Sequence, residues 1–181
     1  MKIVLATPLY PPEIAEPAPY VKELAKRLSG RHAVTIVAYT RLPEKVSGVS
    51  IIVVDKHKPL FIRLVVYFFT LLRAAWHADI VYAMNGASVE LPAALVALVT
   101  RRPFVFHIGD SAAHERAKQK QLLRFIERFA FARTKEVTAD SPLVRPEIIP
   151  FEPFPAEGMA VYERSWNTHV NALEATFTHD T

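Results

Sequence analysis

Short apolar runs alternate along this chain with longer segments whose apolar residues recur every three or four positions. Such runs indicate buried strands, and such spacing indicates helices that cover them. Strands separated by helix-length segments favour a parallel sheet, because parallel strands cannot be joined by a tight turn. The predicted strands are 2–7, 33–40, 49–54, 79–84, 103–107 and 136–139, and the predicted helices are 18–29, 59–78, 91–100, 114–134 and 161–177.

This pattern predicts an α/β fold with a single Rossmann-like, doubly wound, mostly parallel sheet and a C-terminal helix packed back on it. With 181 residues the chain is long enough for one such domain and too short for two. We expect a domain at 1–150, a proline-rich linker at 151–159, and a helix and tail at 160–181. The apolar stripe of the last helix comprises Trp166, Val170, Leu173 and Phe177.

Composition narrows the possible chemistry and location. The absence of cysteine excludes disulfides, thiolate metal sites and a cysteine nucleophile. No secretory signal follows Met1, and the longest apolar run, between Arg63 and Arg73, has nine residues and is too short to span a bilayer. The net charge of +4 suits anionic partners. We expect a cytoplasmic protein, at the membrane surface in one alternative, with no nucleic-acid partner.

Each of two predicted helices could have a purely structural role or could present a binding surface. The helix at 59–78 is apolar around much of its circumference, so it is either a buried crossover helix or one with an exposed aromatic surface for lipid or a partner. The helix at 114–134 has more basic than acidic residues beside an apolar stripe, so its polar face is either solvated or bound to an anionic membrane. The aromatic surface of the helix at 59–78 would comprise Tyr67, Phe68, Phe69 and Trp76.

Polar residues follow two of the central strands. Because parallel strands end at a common edge, Asn85 and Gly86 should lie beside the segment from His107 to Asp110, at the edge where open α/β sheets bind ligands. Residues 7–19 contain no glycine, so a dinucleotide-binding loop is excluded, and the P-loop, H-E-x-x-H and G-x-S-x-G motifs are absent as well. Dehydrogenase, P-loop, zincin and classical hydrolase functions are therefore excluded.

Four residues near the end of the fifth predicted strand could carry chemistry. His107, Asp110, His114 and Glu115 could converge as a metal site, as an acid/base or ligand-binding group, or as structural hydrogen-bonding partners at a strand end. Their spacing does not choose between these. Ser141, beside Asp140 at another strand end, fits a turn cap as well as a ligand contact.

Five segments carry a resemblance to a known family. Residues 3–28 read IVLATPLYPPEIAEPAPYVKELAKRL, in which P-x-x-P-P-E precedes V-x-E-L-A-x-x-L. The others are ADIVYAMNG at 78–86, PFVFHIGDSAAHE at 103–115, EVTADS at 136–141 and IIP at 148–150. In these segments the chain resembles the N-terminal half of family 4 glycosyltransferases of the GT-B fold.

The resemblance implies a function and a set of site residues. Members of that family transfer a sugar from a nucleotide donor to an acceptor, often lipid-linked, in a cleft between two Rossmann-like domains. His107 stands in the region of the family's acid/base histidine, and Ala15 and Glu16 replace two glycines whose amides approach the donor diphosphate. A carboxylate there would repel a diphosphate. The expected catalytic residues are His107, Asp110 and Glu115, and the expected ligand-binding residues are Ala15, Glu16, Asn85, Gly86, Gly109 and Ser141, with no metal and no cofactor.

Three functional hypotheses remain open. The first is the acceptor-side half of a sugar transferase, binding a nucleotide sugar or a glycan or lipid-linked acceptor and needing a donor-half partner, because we expect no donor-binding domain within these residues. The second is a non-catalytic module that binds a glycan, a lipid or a protein. The third is a membrane-surface adaptor. Separately, we expect a homodimer contact or the tail to cover the strand-end edge near Tyr10, Tyr20 and Phe151.

Overall fold

The structure is a computed structural model that describes residues 1–15, 17–109, 114–115, 118–139 and 156–178. Six parallel strands form one sheet, in the order β3-β2-β1-β4-β5-β6. The parallel α/β fold predicted from the sequence is therefore confirmed. The strands are β1 (Lys2–Thr7), β2 (Ala33–Tyr39), β3 (Val49–Val54), β4 (Ile80–Met84), β5 (Phe104–His107) and β6 (Glu136–Thr138).

Helices cover both faces of this sheet. They are α1 (Ala18–Leu28), α2 (Leu60–Trp76), α3 (Ala87–Thr100) and α4 (Gln121–Phe131). A further helix, α5 (Ala156–Thr178), follows later in the chain. Right-handed crossovers place α1 on one face and α2, α3 and α4 on the other, because the chain moves along the sheet in opposite directions in its two halves.

Strand residues follow this division by alternating between the two faces. Val4 and Phe106 belong to the apolar core beneath α2, α3 and α4. Leu5 and His107 are their chain neighbours and point to the α1 face, since successive side chains of a strand alternate. The position of His107 on the α1 side of the sheet decides which residues can contact it.

Helix α3 begins four residues earlier than the sequence suggested, at Ala87 instead of residue 91. Pro92 then lies inside the helix and has no N–H to offer the carbonyl of Ser88, its partner four residues back. The hydroxyl of Tyr39 donates to that carbonyl at 3.1 Å. A tertiary hydrogen bond therefore compensates for the one that proline removes.

The prediction of one helix over residues 114–134 is wrong. Residues 114–115 and 118–119 are helical, but Lys120 is extended, with φ −112° and ψ 122°, and α4 starts after it. The break allows His114 Nδ1 to lie 2.6 Å from Glu127 Oε1. Thirteen residues of continuous helix would hold these groups about 20 Å apart along the axis, so this contact needs the break.

The chain divides into two compact units, Met1–Thr138 and Ala139–Thr181. The first contains the sheet with α1 to α4. In the second, α5 begins at Ala156, a few residues before the predicted start, and its predicted stripe from Trp166 to Phe177 is buried. No helix in the described parts of the chain combines the length and apolarity needed to cross a bilayer.

Candidate functional site

The carboxyl ends of three strands meet at one edge of the sheet. Met84 pairs with His107 across β4 and β5, and His107 pairs with Thr138 across β5 and β6. The segment after β4 is tied to β5, since Asn85 N donates to the His107 carbonyl at 2.8 Å. The strand ends predicted to lie together therefore do so.

His107 occupies the centre of this edge and is fully buried. Its Nδ1 lies 3.0 Å from the hydroxyl oxygen of Thr138. The ring of Tyr20 stacks on the imidazole with a centroid separation of 4.6 Å and an interplanar angle of 3°. These two contacts fix both the rotation and the tilt of the imidazole.

A chain of hydroxyl groups supports the histidine. Tyr20 and Tyr82 join their hydroxyl oxygens at 2.9 Å, and the Tyr82 hydroxyl lies 3.3 Å from that of Thr138. Burial raises the pKa of Tyr82 far above its usual value, so this phenol stays protonated at neutral pH. The network therefore consists of neutral hydroxyls, and Thr138 links it to the imidazole of His107.

The turn after β5 closes over the imidazole. Gly109 N donates to the side-chain oxygen of Asn85 at 3.1 Å. A Cβ on Gly109 would lie 3.1 Å from Cδ2 and 3.2 Å from Nε2 of His107, closer than ordinary van der Waals contact. Glycine at this position lets the backbone approach the ring edge.

Gly86 starts α3 in a backbone conformation that side chains rarely adopt, with φ 138°. Its N–H donates to Glu90 Oε1 at 2.6 Å, and its carbonyl accepts the amide of Val89 at 2.7 Å. A Cβ on Gly86 would lie 3.2 Å from Cγ of Pro8 in the loop after β1. Gly86 thus permits the close approach of the loops that follow β1 and β4.

Replacing Gly86 by alanine is expected to lower the free energy of unfolding by about 1–3 kcal/mol, because the backbone strain and the contact with Pro8 act together. Urea denaturation measures this change. Gly30→Ala is the matched control, since a Cβ on Gly30 meets only the Arg27 carbonyl, at 3.9 Å. Equal stability losses in the two variants would contradict the prediction.

Two buried acidic residues lie on the helices that follow this edge, Glu90 on α3 and Glu127 on α4. Glu90 and Glu127 are 4% and 5% exposed, and Glu127 contacts His114. Burial raises the pKa of Glu90 to about 7, and the nearby Glu127 acts in the same direction, whereas the Gly86 N–H and His114 act against them. Glu90 is therefore partly protonated near neutral pH.

The structure brings together four of the predicted site residues: His107, Asn85, Gly86 and Gly109 all lie at the strand-end edge. Glu115 is an exposed residue in an ion pair with Lys118, with Oε1 and Nζ 2.6 Å apart. The hydrogen bond from Lys118 lowers the pKa of Glu115. A catalytic role for Glu115 stays a prediction.

Of the remaining predicted residues, the structure describes Ala15. Ala15 is exposed, and its carbonyl accepts the amide of Ala18 at the start of α1. Glu16, Asp110 and Ser141 are outside the described residues. The part of the chain that the structure describes contains no cluster of three or more metal-ligating side chains.

Sequence reasoning missed much of the site. Tyr20 and Tyr82 looked like apolar positions of a helix and a strand, and Thr138 like an ordinary strand residue. Glu90 could have been identified from the sequence, because it is the single acidic residue of an apolar helix and stands four residues after Gly86. Tyr10 and Tyr20, expected to be covered by a homodimer contact or by the tail, are buried within the single chain.

Comparison with known proteins bears on the fold and on the family. No curated protein sequence is significantly similar to the chain. Among solved structures, Anabaena Alr3699/HepE in complex with UDP has a TM-score of 0.53 and 18% sequence identity, over 92% of this chain and 41% of that one. Its complex with UDP-glucose has a TM-score of 0.54 and 19% identity, over 91% and 40% of the two chains.

A second group of solved structures shares the fold at lower identity. A putative UDP-N-acetylglucosamine 2-epimerase from Listeria monocytogenes has a TM-score of 0.51 and 10% identity, over 76% of this chain and 38% of that one. The chain thus spans about two fifths of the length of these structures.

Residues 16–162 match the sequence model of the Glycosyl transferase 4-like domain. Because that match extends over most of the chain, the protein belongs to the Glycosyl transferase 4-like domain family.

Proposed function

We propose that this chain is the acceptor-side half of a GT-B sugar transferase, which moves a sugar from a nucleotide sugar to a glycan or lipid-linked acceptor. The observation that carries the proposal is the oriented imidazole of His107 at the carboxyl edge of a parallel sheet, beside Asn85 and the start of α3. Open α/β sheets bind ligands at this edge. Histidine there is suited to exchange a proton with an acceptor hydroxyl near neutral pH.

The contacts of His107 define what this chain contributes to the reaction. Thr138 and the Tyr20 ring orient the imidazole, and orientation of a catalytic group lowers the barrier. Since His107 is fully buried, an acceptor can reach it only when the Tyr20 ring or the turn at Gly109 moves aside. We infer that acceptor binding is coupled to this opening.

We propose that the nucleotide-sugar donor is bound mainly by a second domain. Alr3699/HepE, of which this chain spans 41%, was solved with UDP and with UDP-glucose. A nucleotide sugar is accordingly the proposed donor, and a donor-binding domain outside these 181 residues is proposed to hold most of it.

Nucleotide release tests the proposal. The chain is incubated with a panel of nucleotide sugars and glycan or lipid-linked acceptors, with and without a donor-binding domain of the same family, and free nucleoside diphosphate is measured. We expect turnover only when both halves are present. Turnover by this chain alone would contradict the need for a second domain, and failure of every combination would contradict the transferase function.

One observation favours a non-catalytic alternative. The complete burial of His107 beneath Tyr20 is also what a structural core histidine shows. In that case the edge binds a glycan without chemistry. Calorimetry with glycans in the absence of nucleotide separates the two functions: binding that persists unchanged in a chain without His107, together with no turnover, supports the binding module.

A further inference from the structure

The outer surface of helices α2, α3 and α4, here called the helix-layer face, carries no exposed acidic residue. These three helices contain two acidic residues, Glu90 and Glu127, and both are buried. Their arginines behave differently, since three of the four, Arg73, Arg124 and Arg128, are exposed and Arg63 is half-buried. Folding therefore removes the negative charge from this surface and leaves the positive charge on it.

The same face exposes large apolar side chains. On α2 the exposed residues Phe61, Phe69 and Trp76 follow one another at eight and seven positions, which keeps them on one side of the helix. Phe61 is 77% exposed, although most aromatic residues of a domain this size are buried. Leu60, Val65, Leu98, Val99, Leu122 and Phe125 extend the exposed apolar surface along all three helices.

These helices form one continuous layer. Helix α3 contacts both α2 and α4. Arg102, just after α3, donates from Nη2 to the Trp76 carbonyl at 3.3 Å and so joins the ends of α3 and α2. Apolar patches on the neighbouring helices therefore adjoin and are not scattered over the molecule.

Helix α4 adds a groove in which cations and aromatic rings alternate. The groove has a volume of ≈ 380 Å³ and is lined by Gln121, Arg124, Phe125, Arg128 and Phe129. Phe125 and Phe129 stack with centroids 6.5 Å apart, and the guanidinium of nearby Arg133 lies 4.3 Å from the Phe129 centroid. Arg124 donates to the Lys118 carbonyl with one of its nitrogens. Its other N–H groups and those of the exposed Arg128, beside an apolar floor, match a phosphate group carried on a hydrocarbon chain.

From this charge distribution we infer that the helix-layer face docks on an anionic lipid surface. Exposed aromatic rings enter the boundary between headgroups and acyl chains, and the arginines contact lipid phosphates. A lipid surface fits better than a protein because the whole layer combines cations with aliphatic and aromatic groups. Glu115, an exposed carboxylate that precedes α4 in the chain, is already paired with Lys118. This inference concerns a different surface from the strand-end edge and does not depend on sugar transfer.

Vesicle co-sedimentation tests the docking. The full chain is mixed with phosphatidylcholine vesicles, with or without about a third phosphatidylglycerol, at low and high salt. We expect binding to the anionic vesicles that weakens as salt rises. The double variants Phe61→Ser/Phe69→Ser and Arg124→Glu/Arg128→Glu should each lower the partition coefficient at least about tenfold.

A matched control uses exposed residues away from the three helices. Leu42→Ser/Lys45→Glu changes one apolar and one basic residue of the connection between β2 and β3 and should bind like the wild type. Thermal unfolding of each variant confirms that its fold is retained. Equal binding by all variants, equal binding to neutral vesicles, or a dimer in light scattering that the helix-face substitutions dissociate would each overturn the inference.

Discussion

Replacing His107 by alanine is expected to reduce sugar transfer by at least about a hundredfold when a donor-binding domain is supplied, since a positioned acid/base group contributes about that much or more. The substitution also removes the ring that stacks on Tyr20 and the hydrogen bond to Thr138. Some stability is therefore lost together with activity. Nucleotide release measures transfer, and urea denaturation measures stability.

Two further variants separate chemistry from folding. His107→Asn keeps an amide near the position of Nδ1 that can still bond to Thr138 but cannot exchange a proton at neutral pH, so it should lose as much activity as the alanine variant while keeping more stability. Tyr82→Phe removes one hydroxyl of the network and should cost about 1 kcal/mol in stability. It should change turnover only a few-fold. If His107→Asn keeps wild-type turnover, His107 is a structural residue and the transferase mechanism is wrong.

The stability of the wild-type protein is expected to fall as pH rises from about 5 to about 8, because the folded state must then ionise the buried Glu90 carboxyl. Its pKa is about 7 in the folded chain, against 4.5 without the burial. The folded state holds this proton more tightly than the unfolded state. The resulting stabilisation is therefore fully present below the pKa of Glu90 in the unfolded chain, and it is lost as pH rises above the pKa in the folded chain. Over this window the loss is on the order of 2–3 kcal/mol.

The Glu90→Gln variant isolates this contribution. Glutamine can still accept the Gly86 N–H and has no proton to lose, so the stability advantage of the variant over the wild type should grow with pH. Glu127 and His114 face Glu90 and are present in both proteins, so the difference between the two curves reports Glu90. Glu115→Gln, at an exposed position, is the control. Parallel curves for wild type and Glu90→Gln would show that this carboxyl does not titrate in the window.

The cluster at Glu90 also links the site to the helix-layer face. Glu90 accepts the N–H of Gly86 at the strand-end edge, and Glu127 lies on α4 between the exposed Arg124 and Arg128. Burying the two carboxyls therefore has two effects. It holds the start of α3 in place, and it leaves the outer surface of the layer positively charged.

Aromatic residues of α2 show how an open alternative was resolved. The sequence allowed either a buried helix or an aromatic surface, and both descriptions apply in part. Tyr67 is fully buried and donates to the Val37 carbonyl at 3.0 Å. Phe69 and Trp76 are exposed. Periodicity could not assign the faces, because the helix is apolar on both.

The sequence by itself determined the strands, their parallel arrangement and the edge at which His107, Asn85 and Gly86 meet, since apolar runs and the lengths of the connections between them are local properties. Only the tertiary structure decided that Tyr20 stacks on His107, that Tyr39 stabilises a helix containing Pro92, and that the chain breaks at Lys120. Each of these depends on groups brought together from distant positions. Pattern along the chain specifies which elements form, whereas strand register and the packing of helices decide which side chains touch.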